Sequence, residues 1–428
     1  SPRSGTAFTL GDSGDTFTIP SGATINNQGT ATNFGATGSA SWTTTVKTAD
    51  FTAVAGEGYF VNTTSGSKTV TLPAGTAGAV VAFKDYADTF DTNALIIAAN
   101  GSDKIGGSTD NKRLNTEGIA ATLIFIDSTK GWLVTDDGLQ SSLSALSYSI
   151  NFLIIAGGGG GGYDRGGGGG AGGYRTSTGT SGGGGSAESA ITTLSGVAYT
   201  VTVGAGAAGS VNNSSPASVG VASSIAAPGI STITSTGGGS GGTADNNHVG
   251  ATGGSGGGSA GVGSPGSTGG PGTSTQGFNG GGGLAAVPNY GAGGGGGSGS
   301  IGITGNSTTG GNGGAGVAST ITGSSVIRAG GGGGGVYGGG TGGTGGSGGG
   351  GTATYNSAGA NATVNTGSGA GGGSGSPALA GGNGGTGVVI LSMPDADYSG
   401  TTTGSPTVNT GVSGNTVLTF NASGSYTS

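Results

Sequence analysis

The chain is predicted to be an all-β protein whose second half is built from bundled polyglycine II helices, with almost no α-helix. Glycine supplies 113 of the 428 residues, but only 18 of these glycines lie in the first 150. Apolar, β-branched segments separate the later glycine runs, among them residues 152–155 and 388–391. A flexible linker is not expected to contain repeated strand-like segments. The alternation of apolar segments with glycine runs therefore predicts a folded glycine-rich domain.

A polyglycine bundle gives such a sequence a way to pair its backbone. The polyproline II conformation has three residues per turn and no internal hydrogen bonds, so its N–H and C=O groups point outward. Because glycine has no Cβ, neighbouring left-handed helices of this kind can approach closely and bond to each other laterally. Bulky residues are then expected at the apical turns between helices, and they cluster in three islands, 244–249, 284–290 and 352–364.

Five segments follow from composition and strand pattern. Residues 1–45 are an N-terminal β segment rich in Thr, Ser and Gly, and residues 46–137 are a small β domain of the sandwich or barrel type. Residues 138–149 form a connector. Residues 150–393 form the glycine-rich polyglycine II domain, closed by pairing of its first and last strands, and residues 394–428 form a C-terminal β tail.

Turn residues punctuate the small β domain at intervals of about ten residues, a spacing typical of a sandwich or barrel. Phe83, Leu123, Phe125 and Trp132 are its expected core. Six strands are expected in it, at residues 59–62, 68–72, 80–85, 94–98, 122–127 and 131–135.

Composition excludes several classes of function. Charged residues make up 7% of the chain and its net charge is −7, whereas nucleic-acid binding needs clustered positive charge. The absence of cysteine excludes disulfides and thiolate chemistry. No apolar run reaches the length of a membrane span, so membrane insertion is not expected.

The sequence also offers few residues that could form a catalytic or cofactor site. Residues 204–209 spell a dinucleotide fingerprint, but no helix-forming sequence and no acidic residue follow at the required distance. His248 is the one histidine. The carboxylate pairs Asp136/Asp137 and Asp395/Asp397 are interpreted as turn residues in solvent rather than as a glycosidase couple. We therefore expect no enzyme activity, no metal and no cofactor.

Several segments carry a resemblance to a known group by their order along the chain. They are residues 152–159, 172–177, 199–206, 365–369 and 384–390, together with 58–61, 70–73, 83–85 and 130–133 in the small β domain. In this order they resemble the glycine-rich tail-fibre and adhesin proteins of tailed bacteriophages, particularly marine ones. The resemblance implies polyglycine rods, an extracellular location in the virion tail, contact with other tail proteins, and receptor binding through distal loops.

Candidate binding residues are the polar and aromatic side chains of the islands. Aromatic rings and amides suit a bacterial receptor, either a polysaccharide or the loops of an outer-membrane protein. Packing and turn formation by Asn account equally well for any single one of them. The candidates are Asn246, Asn247, His248, Asn289, Tyr290, Tyr355 and Asn356.

Other functions stay open at this point. A flat face on the bundle would suit an ice-binding protein, although the islands are expected to interrupt its regularity. A tail-associated depolymerase and a structural protein of a bacterial surface or extracellular matrix are further alternatives. For the adhesin we expect a homotrimer formed through the N-terminal half, because short Thr/Gly strands bury little surface alone.

Overall fold

The computed structural model describes residues 40–136, 144–145, 147–245, 247–262 and 267–428. The predicted all-β fold is confirmed. These residues include no α-helix and only two short 3₁₀ turns, Gly182–Gly184 and Asp395–Asp397. Within the same ranges, no helix has the length and apolar character needed to cross a membrane. The chain divides into two units between Ala145 and Leu146.

Unit 1 consists of two five-stranded sheets, with orders β1-β3-β5-β8-β9 and β10-β7-β6-β4-β2. The first three strands of each sheet along the chain are parallel, because the chain crosses from one sheet to the other after each strand. The strands are β1 Ser41–Lys47, β2 Phe51–Thr52, β3 Glu57–Val61, β4 Lys68–Thr71, β5 Val80–Asp85, β6 Leu95–Ala98, β7 Lys112–Leu114, β8 Ala120–Asp127, β9 Gly131–Asp136 and β10 Ser144–Ala145.

The core of unit 1 lies between these two sheets. Phe83, Leu123 and Trp132 are completely buried and Phe125 is 6% exposed, as the sequence predicts. The six predicted strands correspond to β3, β4, β5, β6, β8 and β9. The unit is thus a sandwich with a coiled, partly parallel chain path.

Unit 2 combines two further sheets with the glycine-rich region. One sheet has the order β12-β11-β19-β22-β21 with β13 also paired to β11, the other has the order β16-β15-β14-β23-β20, and β17 and β18 form a hairpin. The strands are β11 Ser147–Ile155, β12 Tyr174–Thr176, β13 Ile191–Leu194, β14 Ala198–Thr202, β15 Ser223–Ala226, β16 Ile233–Ser235, β17 Val317–Ser319, β18 Val326–Arg328, β19 Val388–Pro394, β20 Thr401–Thr403, β21 Thr407–Val412, β22 Asn415–Phe420 and β23 Gly424–Thr427.

The first and last strands of the glycine-rich region pair, as predicted. β11 and β19 are antiparallel neighbours, with Phe152 opposite Leu391. Phe152 packs into the core between the two sheets, and Leu153 packs on the opposite face of β11. Because both faces of this part of β11 are buried, residues 152–155 form a continuous run of apolar residues. The predicted C-terminal tail, residues 394–428, supplies β20 to β23 to the same sheets.

Extended glycine segments, here called rods, fill the rest of unit 2. In rod 157–162, amides three residues apart donate to the same neighbour, and successive amides donate to different ones. The three acceptors are the segments 218–221, 382–385 and 167–170. A β-strand has a period of two, whereas a period of three with purely lateral hydrogen bonds is the pattern expected of polyglycine II helices. The polyglycine II conformation itself, with its left-handed sense, stays a prediction.

The rods pack hexagonally around rod 166–173. This central rod donates backbone hydrogen bonds to three neighbours and accepts them from three others, with N···O distances of 2.8–3.0 Å. All its residues are buried. Its six neighbours are the rods 157–162, 237–242, 254–261, 291–298, 330–336 and 367–374.

Glycine is required inside this bundle because neighbouring backbones approach so closely. A Cβ added to Gly168 would lie 2.1 Å from the carbonyl oxygen of Gly332, and one added to Gly169 would lie 2.1 Å from that of Gly159. Neither distance is compatible with a side chain, so the rods would have to separate and lose their hydrogen bonds.

Asparagine side chains complete the hydrogen bonding of the outer rods. The Oδ1 atom of Asn383 accepts from the amide of Gly209 at 2.9 Å, and that of Asn312 accepts from the amide of Thr344 at 2.9 Å. At the surface, these side chains replace the carbonyl that another rod would have supplied. This role explains why some asparagines occur within the glycine tracts.

Candidate functional site

Short loops connect the rods at the end of the bundle that lies away from the sheets. Rod 157–162 leaves β11 and rod 166–173 returns to β12, so the loop 163–165 between them lies at this far end, here called the apical end. Among the described residues, the same alternation places seven more loops there. These apical loops are 163–165, 211–217, 243–245 with 247–248, 285–290, 306–308, 337–340, 355–358 and 375–378.

Hydrogen bonds between these loops show that they share one end. The amide of Asp164 donates to the carbonyl of Leu379 at 3.1 Å. The amide of Tyr337 donates to the carbonyl of Asn289 at 2.8 Å, and the amide of Asn289 donates to the carbonyl of Ser307 at 3.1 Å. Segments more than 200 residues apart in sequence therefore form one surface.

A cation–π cluster holds the centre of the apical end together. The guanidinium carbon of Arg165 lies 5.1 Å from the ring centroid of Tyr337 and 5.7 Å from that of Tyr290. The two rings meet edge to face at 5.9 Å. Arg165 also pairs with Asp164 at 3.2 Å. Asp164 neutralises the charge of Arg165, and the two rings cover its guanidinium group. Arg165 thereby connects its own loop, 163–165, to the loops 285–290 and 337–340.

Backbone strain marks the same loops. Asp164, Arg165 and Tyr290 have φ values of 46°, 54° and 44°, and Asn356 has a φ of 54°. Asn tolerates this left-handed region, but Arg and Tyr rarely adopt it. The surrounding contacts therefore impose these conformations, as is common at binding surfaces.

The predicted binding residues that the structure describes lie at the apical end but differ in accessibility. Asn247, Tyr355 and Asn356 are exposed, and His248 is half-buried. Tyr290 belongs to the cation–π cluster. Asn246 lies outside the described residues.

Asn289 ties two apical loops together. It is 7% exposed, and its Nδ2 donates to the carbonyls of Tyr337 and Gly338 at 2.9 and 2.7 Å. Its amide hydrogens are therefore used inside the protein.

The structure adds residues that sequence reasoning missed. Tyr337 is 37% exposed and completes the cation–π cluster. Val211 and Val287 protrude from their loops with exposures of 65% and 70%. The sequence did contain a signal for Tyr337, because this residue is the aromatic one that interrupts the glycine run 330–340.

Two features of the rest of the described chain bear on function, namely a groove and the spacing of its potential metal ligands. A groove of about 370 Å³ runs along the side of the bundle, between residues 267–269, 279–284 and 301–304, and its lining carries no charged side chain. Within the described ranges, no group of three or more His, Asp or Glu residues is arranged to hold a metal ion.

Comparison with known proteins places the chain at the level of a family. No curated protein sequence matches it. The family model described as a glycine-rich domain matches residues 135–394, which is more than half of the chain. The protein therefore belongs to this glycine-rich domain family.

Proposed function

We propose that this protein is a tail-fibre or adhesin component of a bacteriophage virion. It attaches the particle to a polysaccharide or outer-membrane protein on a bacterial surface, and it has no enzymatic activity of its own. One observation carries the proposal. Eight loops from distant parts of the chain meet at one end of a scaffold whose backbone is hydrogen-bonded internally. Recognition residues are commonly found on such loops, because loops can vary without disturbing the scaffold.

The composition of the apical loops supports a binding role. Asn, Ala and Ser are their most frequent residues, four of the eight loops contain a Tyr, and exposed valines add apolar contact area. Antibody binding loops are also rich in Tyr, Ser and Asn, since Tyr supplies rigid contact area and Ser and Asn supply adaptable hydrogen bonds. The order of segments that resembles phage adhesins points to a bacterial surface as the target.

Binding through this surface is expected to depend weakly on salt. Arg165 is paired with Asp164, which leaves Asp245 as the one further formal charge in the apical loops named above. Long-range attraction between charges therefore contributes little, in contrast to charge-steered binding. Between about 0.05 M and 0.5 M NaCl we expect the affinity to change less than about threefold.

The experiment is a binding measurement of the fluorescently labelled chain on a panel of outer-membrane-bearing bacteria at both salt concentrations. Saturable binding to particular strains with the expected salt response supports the proposal. Absence of saturable binding to every strain would count against an adhesin. The proposal also includes the homotrimer, and light scattering that gives the mass of a single chain would contradict that part.

A regular row of hydroxyl side chains on one outer rod favours ice binding as the second candidate. On this rod Thr341, Thr344 and Ser347 are exposed at every third position. A thermal-hysteresis assay separates the two functions, since an adhesin is expected to give no hysteresis.

A further inference from the structure

The sheet end of unit 2 contains a cavity that the proposed function does not use. It has a volume of about 210 Å³ and lies beside the 3₁₀ turn Asp395–Asp397. Its lining includes Tyr148, Asp397 and Tyr398, together with Ser195, Ser399 and Ser428.

The two carboxylates of the turn have different surroundings. Asp395 accepts hydrogen bonds from the amide of Gly411 at 3.1 Å and from the hydroxyl of Thr416 at 2.7 Å, so it stabilises the turn. The carboxylate of Asp397 has no hydrogen bond or ion pair with any described residue, and burial raises its pKa above the ordinary value. A partly buried carboxylate without a partner destabilises the folded chain, and such groups are concentrated at functional sites.

Tyr148 and Tyr398 line the cavity beside Asp397, and the buried Tyr426 contacts both of them. The ring of Tyr398 stacks on that of Tyr426 with centroids 6.0 Å apart, and Tyr426 stacks on Tyr199 at 6.4 Å. The hydroxyl groups of Tyr148 and Tyr426 share a hydrogen bond of 2.9 Å. Ring faces attract cations, and an adjacent carboxylate strengthens that attraction.

We propose that this cavity binds an alkylammonium group, as presented by a lysine side chain of a partner protein. The compact ammonium group donates to the carboxylate of Asp397 and to the nearby serine hydroxyls. The methylene stem of the lysine lies along the tyrosine rings, which shield it from water. A cavity of this kind at the sheet end provides an attachment point remote from the apical loops.

The test uses ligand-observed NMR on the full chain with Nα-acetyl-lysine amide and Nα-acetyl-norleucine amide. The second probe has an aliphatic side chain without the charge. We expect the lysine probe to bind at least tenfold more tightly. Asp397→Asn should lose at least tenfold in affinity for the lysine probe, whereas Asp91→Asn, which removes an exposed carboxylate in unit 1, should leave the affinity unchanged.

Thermal melting provides the control for folding. Because Asp397 is partly buried without a partner, Asp397→Asn should melt at the same or a higher temperature than the parent chain. Equal affinity of the two probes, or full retention of lysine binding by Asp397→Asn, overturns the proposal. Tighter binding of glucosamine than of the lysine probe also overturns it, because an amino sugar would then be the better ligand.

Discussion

A chain carrying Gly333→Val is expected not to fold. Gly333 is buried in rod 330–336, where its amide donates to the carbonyl of Gly351 and its carbonyl accepts from the amide of Gly372, both at 2.9 Å. An added Cβ would lie 1.9 Å from the carbonyl oxygen of Gly343. The rods cannot separate at one residue without breaking lateral hydrogen bonds on several sides. We expect the free energy of unfolding to fall by at least about 4 kcal/mol. Most single substitutions cost less than this, and overpacking of a buried site is one of the few causes of so large a loss.

The matched control is Ala208→Val. Ala208 lies on an outer rod and its side chain is exposed, so the same two methyl groups point into solvent. This variant should change the stability by less than about 0.5 kcal/mol. Soluble yield and thermal unfolding followed by circular dichroism measure both effects. A Gly333→Val chain that melts like the parent would show that the rods do not pack as closely as described.

Removing the exposed tips of the apical loops is expected to abolish attachment to cells without affecting the fold. The triple variant Val211→Ser, Val287→Ser and Tyr355→Ser replaces side chains that are 65%, 70% and 38% exposed. These side chains are the apolar anchors most available to a receptor, and such anchors carry most of the affinity of an interface. We expect at least a tenfold loss of cell binding, about 1.4 kcal/mol, with a nearly unchanged melting temperature.

A variant on the side of the bundle serves as the control for this loss. Thr344→Arg together with Ser347→Arg places two bulky charges on the exposed outer rod that runs from the apical loop 337–340 towards the sheets. The control should bind cells like the parent chain. If the side-face variant loses binding and the apical variant keeps it, the receptor site lies on the side of the bundle and the apical assignment is wrong.

Local sequence was sufficient to predict much of unit 2. The continuous apolar runs of β11 and β19 predicted their pairing, since a strand buried on both faces needs apolar residues at every position. Islands of bulky residues predicted apical turns, because side chains cannot be accommodated between close rods. The loop 285–290 lies at the apical end as expected. Of the predicted island 352–364, only 355–358 forms an apical loop, because the amides of Ala353 and Ala362 donate to neighbouring rods and their segments are rods themselves.

The arrangement of the rods was not predictable from sequence. Rods such as 166–173 and 330–336 are almost identical in composition, so no side chain specifies which rods become neighbours. Every rod offers the same backbone N–H and C=O groups for lateral hydrogen bonds. The path of the chain and the lengths of the loops decide the order, and these are properties of the whole fold.

The cation–π cluster was missed for a related reason. Arg165, Tyr290 and Tyr337 are far apart in sequence and meet only because three loops end side by side. The parallel strands of unit 1 also depend on long-range pairing, which short strand patterns do not reveal.

Hydrogen exchange measured by mass spectrometry tests the central claim most directly, namely that glycine rods form the rigid scaffold and leave the apical loops free for recognition. Peptides covering the central rod 166–173 and its neighbour 367–374 should exchange mostly on global unfolding, because all eight amides of the first and six of the eight in the second donate to neighbouring segments. Peptides covering the loops 211–217 and 355–358 should exchange within seconds. Complete exchange of the glycine peptides on the same fast timescale as the loops would contradict the account, since it would show that the glycine tracts do not form a scaffold.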